Sequence, residues 1–257
     1  MLTDIAAIGS GGIVGLALGM IGGGGSILAV PLLLYVVGVR DAHAAIGTSA
    51  LAVAANAFVN LARHARAGTV KWPCAIAFAV SGFIGAFGGA TVGRMVDGHI
   101  LLLLFSGVMA AIAAAMLVPK ATEGDPGVRL NAAIAARLVP IGLATGALAG
   151  FFGIGGGFLI VPGIVFASRM PLLYAIGSSL VSVGVFGLAT AANYALADLV
   201  DWRLAAELLA GGAIGGFAGQ WLAVRLATRR NALARVFAGV LILVAAYMAA
   251  RSSGLID

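Results

Sequence analysis

Apolar stretches close to 20 residues long recur from one end of this chain to the other, with only short polar links between them. A stretch of that length matches the hydrocarbon thickness of a bilayer. Inside hydrocarbon every backbone N–H and C=O needs an internal partner, so the stretches are predicted to be α-helices. Only 9% of the 257 residues are charged, against roughly 25% in soluble domains. The sequence therefore predicts an all-α, multi-pass integral membrane protein with no separate soluble domain. A single cysteine, Cys74, excludes an internal disulfide and any multi-cysteine metal or redox centre. The N-terminal "MLTDIAAIGSGG" has no basic region ahead of its apolar run and is expected to stay on the chain.

The chain also repeats itself. At an offset of 131 residues, Gly11, Gly15 and Gly19 fall on Gly142, Gly146 and Gly150, and Pro31 falls on Pro162. "MIGGGGSILAVP" from Met20 and "FFGIGGGFLIVP" from Phe151 carry the same glycine cluster and Val-Pro. After a one-residue deletion, Gly47 to Trp72 aligns with Gly177 to Trp202, and Gly82, Gly85 and Gly89 with Gly212, Gly215 and Gly219. The expected organisation is a first membrane repeat over 1–118, a linker over 119–130 and a second membrane repeat over 131–257, together one membrane domain.

Each repeat holds five apolar segments. They lie at about 5–21, 26–38, 43–62, 72–93 and 99–118, and at about 138–152, 157–168, 173–196, 203–224 and 231–250. The last three of each set are long enough to span. Residues 138–168, at 1.5 Å per residue, reach roughly 46 Å, against the ~60 Å of two crossings. Short broken or re-entrant helices at the glycine clusters are therefore expected.

Basic residues set the orientation. With inverted repeats, Arg40, Arg94, Arg203 and Arg251 fall on one side and the other 11 of the 15 Lys and Arg on the opposite side; parallel repeats give 8 and 7. Cytoplasmic links carry the positive excess, so the repeats are expected to be inverted, with both termini periplasmic. The same asymmetry accounts for the net charge of +6 without a nucleic-acid partner.

Inverted repeats with interrupted helices point to a secondary transporter whose site lies near the midplane, between the repeats. Gly22, Gly23, Gly24 and Gly25, with Gly153, Gly155, Gly156 and Gly157, supply backbone that turns sharply and lets a ligand approach N–H groups. Each cluster leads into a short helix whose free N–H groups and positive dipole end attract anions. No Lys or Arg sits mid-segment, so neutral donors would hold the anion: Ser26, Thr48 and Ser49 of "AIGTS", Ser178 and Ser179 of "AIGSS". Against this stand a packing kink for the glycines and hydroxyls bonded to their own helix backbone. Gly11, Gly15 and Gly19 have the spacing of small-residue helix packing.

Asn56 and Asn193 are further substrate candidates, although they do not occupy equivalent positions. His64, in a basic link, is read as interfacial or as a proton relay. Glu207 is the one carboxylate within a predicted span, poised either to couple an ion or to reach the interface. No Walker lysine, zinc-ligand spacing or nucleophile elbow is present, so neither an enzyme nor a cofactor nor a metal is expected.

The paired glycine break with Val-Pro, followed by "AIGTS" and "AIGSS" and a glycine-spaced fourth segment, is similar to the sulfite exporter TauE/SafE family over essentially the whole chain. The resemblance implies a helical permease of the bacterial inner membrane that moves sulfite, sulfoacetate or other organosulfonates outward. It also implies a small anionic substrate, surrounding lipid and, by the usual description, seven or eight spans. Export by alternating access is the expected function. The alternatives are a proton-coupled importer of sulfur-containing oxyanions, using Glu207 or His64, and a passive anion channel. Glycine-rich outer faces permit a homodimer.

Overall fold

The computed structural model describes residues 2–117, 125, 127–153 and 157–226. Among these residues there are nine α-helices and no strand. Helix α1 (Leu2–Ile21) runs into a 3-10 stretch, Gly22–Leu28, a single turn α2 (Ala29–Leu32) and a π turn, Leu33–Val37. Then come α3 (Ala42–Arg66), α4 (Trp72–Met95) and α5 (Gly98–Leu117). After the linker follow α6 (Ala132–Phe152), α7 (Gly157–Ser168), α8 (Leu172–Ala195) and α9 (Trp202–Leu226). The segment expected at 231–250 lies outside the described residues.

Among the described residues, five helices are long and apolar enough to cross a membrane: Thr3–Met20, Ala42–Arg66, Trp72–Met95, Ala132–Phe152 and Leu173–Ala195. Two of them differ from the sequence expectation. Both α1, with 20 residues, and α6, with 21, are full-length helices, each about 30 Å long. Helix α6 begins at Ala132 rather than near 138, capped by Asn131, whose Oδ1 accepts the Ile134 N–H at 2.8 Å. Arg137 is an exposed residue on the first turns of the helix, where a long side chain keeps its charge in water. The short helices are the ones that follow the glycine breaks, such as the 12-residue α7.

Glycine builds two of the three main interfaces. Helix α1 packs on α9, α6 on α4, and α3 on α8. A Cβ at Gly11 or Gly15 would strike the backbone of Leu208 or Gly212, and one at Gly211, Gly215 or Gly219 that of Ile8, Gly12 or Leu16. Residue numbers rise together along this seam, so α1 and α9 run in the same direction. The α4–α6 seam is alike: Gly146 and Gly150 meet Gly82 and Ala86, while Gly89 and Gly93 meet Ala147 and Phe151. Such close backbone approach is what small residues permit in a membrane. Helices α3 and α8, by contrast, are antiparallel. Gly47 abuts Tyr194 and Leu199, Gly187 abuts Ala54, Gly184 abuts Phe58, and Gly177 abuts Thr69.

Left-handed residues fall at matching places. Gly38 (φ +86°) ends the π turn and Arg169 (φ +56°) follows α7; these two positions share the offset of Pro31 and Pro162. Gly68 (φ +69°) follows α3 and Asp198 (φ +55°) follows α8, at the offset of Trp72 and Trp202. The same turn is thus made once with glycine and once without.

Candidate functional site

The first glycine cluster folds as the 3-10 stretch Gly22–Leu28, which touches α7 and α8 as well as α1. Gly25 lies against Ala17 and Leu18, so the chain doubles back on the helix it has just left. Ser26 in this stretch is fully buried. The second cluster opens with Gly153 at φ +67°, whose N–H caps α6 on Ala149 and Gly150. It is seated on Ile46 of α3, which any Cβ there would hit. Gly157 starts α7, while Gly155 and Gly156 lie outside the described residues.

The paired hydroxyl motifs divide into two roles. Thr48 Oγ1 accepts the Asp201 N–H at 2.9 Å, and Ser178 Oγ accepts the Lys71 N–H at 2.9 Å. Each hydroxyl thereby satisfies a backbone donor just ahead of a distant helix, α9 in one case and α4 in the other. Because α3 and α8 are antiparallel, Thr48 and Ser178 stand at opposite ends of the pair and do not meet. Ser49 and Ser179 instead donate to Ile46 O (3.0 Å) and Ile176 O (2.7 Å) of their own helices. All four are buried.

A second polar group runs along α3. Asn56 and Asn60 are each 1% exposed, and their amides lie against Gly212 and Gly216 of α9. The Asn60 amide nitrogen donates to Asn56 O at 2.9 Å, which turns its Oδ1 away. Neither Asn56 Oδ1 nor Asn60 Oδ1 has a hydrogen-bond partner among the described residues. One turn further, His64 Nδ1 lies 2.9 Å from Thr69 Oγ1, while Thr69 gives its only hydroxyl proton to His64 O at 3.1 Å. His64 Nε2 is buried, again without a partner among the described residues. Spaced by four residues, the three side chains share one face of α3 and present three buried polar atoms without a partner among the described residues. Sequence reasoning missed Asn60, although its spacing from Asn56 and His64 was the available signal.

Residues 7–248 match the family model described as Sulfite exporter TauE/SafE. The chain belongs to this family. A relative named probable membrane transporter protein, from Xylella fastidiosa (strain 9a5c), is 52% identical over 253 residues, covering 96% of this chain and 95% of the relative. Another of that description, from Methanocaldococcus jannaschii, is 31% identical over 183 residues, covering 69% and 66%. A third, from Bacillus subtilis (strain 168), is 26% identical over 217 residues, covering 80% and 85%. No solved structure gives a significant match. As a TauE/SafE protein the chain is a multi-pass membrane transporter and not an enzyme.

The remaining polar candidates of this TauE/SafE chain tie helices together. Asn193 Nδ2 donates to Thr91 Oγ1 (2.8 Å) and Phe87 O (3.4 Å), joining α8 to α4. Glu207 Oε1 accepts from Arg203 at 3.1 Å, and Arg203 also reaches Asp4 at 3.1 Å, so this exposed arginine links the starts of α1 and α9. Among the described residues no Lys, Arg, Asp or Glu is buried, and no cluster of His, Cys, Asp and Glu could hold a metal.

Proposed function

We propose that the protein exports sulfite, or a small organosulfonate such as sulfoacetate, across the bacterial inner membrane as a secondary transporter working by alternating access. Its halves are read as inverted copies with both termini periplasmic, and the glycine breaks with their neighbouring hydroxyls as the anion-facing backbone. The observation that carries this reading is the antiparallel α3–α8 pair flanked by two parallel glycine seams. Each seam joins the first helix of one half to the fourth segment of the other. Two equivalent halves can alternate by exchanging conformations around a shared site. No Lys or Arg is buried as a whole residue among those whose exposure is described, which supports neutral donors as the main hold on the anion and favours its release. Outward movement of one negative charge gains about 2.3 kcal/mol per 100 mV of inside-negative potential.

A second reading, proton-coupled uptake of the same anions, is favoured by the unpartnered His64 Nε2. Glu207 supports it less, being held by Arg203. Purified protein in liposomes separates the two. Saturable efflux of sulfite or sulfoacetate that follows imposed voltage supports export. Uptake that needs a pH gradient and disappears in His64→Gln supports the alternative. Equal, non-saturating chloride flux identifies a channel, and absence of all flux ends both readings.

A further inference from the structure

A cavity of about 430 Å³ opens where the linker, the start of α6 and the end of α7 come together. Three arginines from three separate segments line it: Arg129, Arg137 and Arg169. None of the three guanidinium groups has an ion pair or hydrogen bond among the described residues. One carboxylate, Asp125, faces them, and its Oδ1 already accepts the Gly127 N–H at 2.7 Å. The other polar side chains are also engaged. Asn131 caps α6, and Ser168 Oγ donates to Ile164 O at 2.7 Å. Three like charges aimed into one space repel unless an anion joins them.

Arg169 strengthens the case. It holds φ +56°, a conformation that residues other than glycine rarely adopt. The matching position in the first half is Gly38, at φ +86°. Glycine would make the same turn without strain, so the arginine here carries a backbone cost that its side chain can offset by binding an anion. Its carbonyl accepts the Asp125 N–H at 3.0 Å, which holds Asp125 at the cavity.

We propose that this cavity binds a tetrahedral oxyanion, either the phosphate of an anionic lipid or its free counterpart. Exposed apolar neighbours favour the lipid. Leu130 follows Arg129, and Phe166, 77% exposed, lies three before Arg169. A headgroup bound by the arginines would lay its acyl chains over these residues. The binding does not depend on what the protein transports. Only its assignment to the cytoplasmic leaflet rests on the orientation proposed above.

The test uses the whole protein in nanodiscs of phosphatidylcholine, with or without phosphatidylglycerol. Phosphatidylglycerol raises the melting temperature of the wild type, the rise shrinks with added salt, and Arg129→Gln/Arg137→Gln/Arg169→Gln abolishes it. Each arginine lost weakens retention roughly five- to tenfold. Arg169→Gly guards against misfolding: it is at least as stable as wild type in phosphatidylcholine alone, yet retains phosphatidylglycerol more weakly. A rise with inorganic phosphate in phosphatidylcholine discs identifies the free oxyanion as the source. No rise with either probe, or a rise that survives in the triple variant, overturns the proposal.

Discussion

Gly82 on α4 and Gly212 on α9 open the same kind of socket, but the side chains that fill the two differ in chemistry. At Gly82 the socket takes the ring of Phe186, which stacks on Phe78 with centroids 6.3 Å apart. At Gly212 it takes the amide of Asn56. Phe186 and Asn56 correspond at the offset of Trp72 and Trp202. On the next two turns Asn60 and His64 of α3 correspond to Thr190 and Tyr194 of α8. Hydroxyls both donate and accept, so α8 can adapt to either kind of neighbour. The α3 column instead carries two amides and an imidazole, of which Asn56 Oδ1, Asn60 Oδ1 and His64 Nε2 have no partner among the described residues. Shape is thus common to the two helices while polarity is not. A buried acceptor without a partner costs about 1–3 kcal/mol, and the Phe186 socket shows that the fold itself does not require one.

The comparison can be broken first at the sockets. Gly82→Val and Gly212→Val should each cost about 3 kcal/mol or more, because a branched side chain forces the helices apart. Thermal unfolding in detergent would measure this, and tolerance of one substitution alone would mean that the sockets are not equivalent. Exchanging the occupants sharpens the contrast. Phe186→Asn should destabilise by about 3 kcal/mol through lost packing and an unpaired amide. Asn56→Leu should leave stability unchanged or raise it by about 1 kcal/mol while impairing transport in liposomes. Equal losses of stability from the two would make Asn56 a packing residue. The smallest effect belongs to the two end hydroxyls. Thr48→Val and Ser178→Ala should each cost about 1 kcal/mol by stranding the Asp201 and Lys71 N–H groups. Unequal costs would show that the two ends of the α3–α8 pair carry different loads.

Local features of the sequence were readable because their physics is local. Apolar length announced the spans, and glycine clusters announced the breaks at Gly22–Leu28 and at Gly153. The helix that begins at Ala132 extends past the apolar segment expected at 138–152, because an arginine on an early helical turn, Arg137, reaches water without ending the helix. The roles of Thr48 and Ser178 were beyond a single sequence. Their partners, Asp201 and Lys71, lie more than a hundred residues away and meet them only once α3 and α8 have docked antiparallel. Ser49 and Ser179 took the alternative that any membrane hydroxyl has, a carbonyl of its own helix.

The seam between α1 and α9 has a mechanical consequence. Helices that meet through glycine and bare backbone have no interlocking side chains to lift over one another, so the joint resists pulling apart far more than it resists shear. On its outward flank α9 presents Ile214 and Trp221, both largely exposed. The helix has bulky side chains to grip its surroundings on that flank, while beyond the Arg203–Asp4 ion pair at the helix starts it meets its partner through backbone.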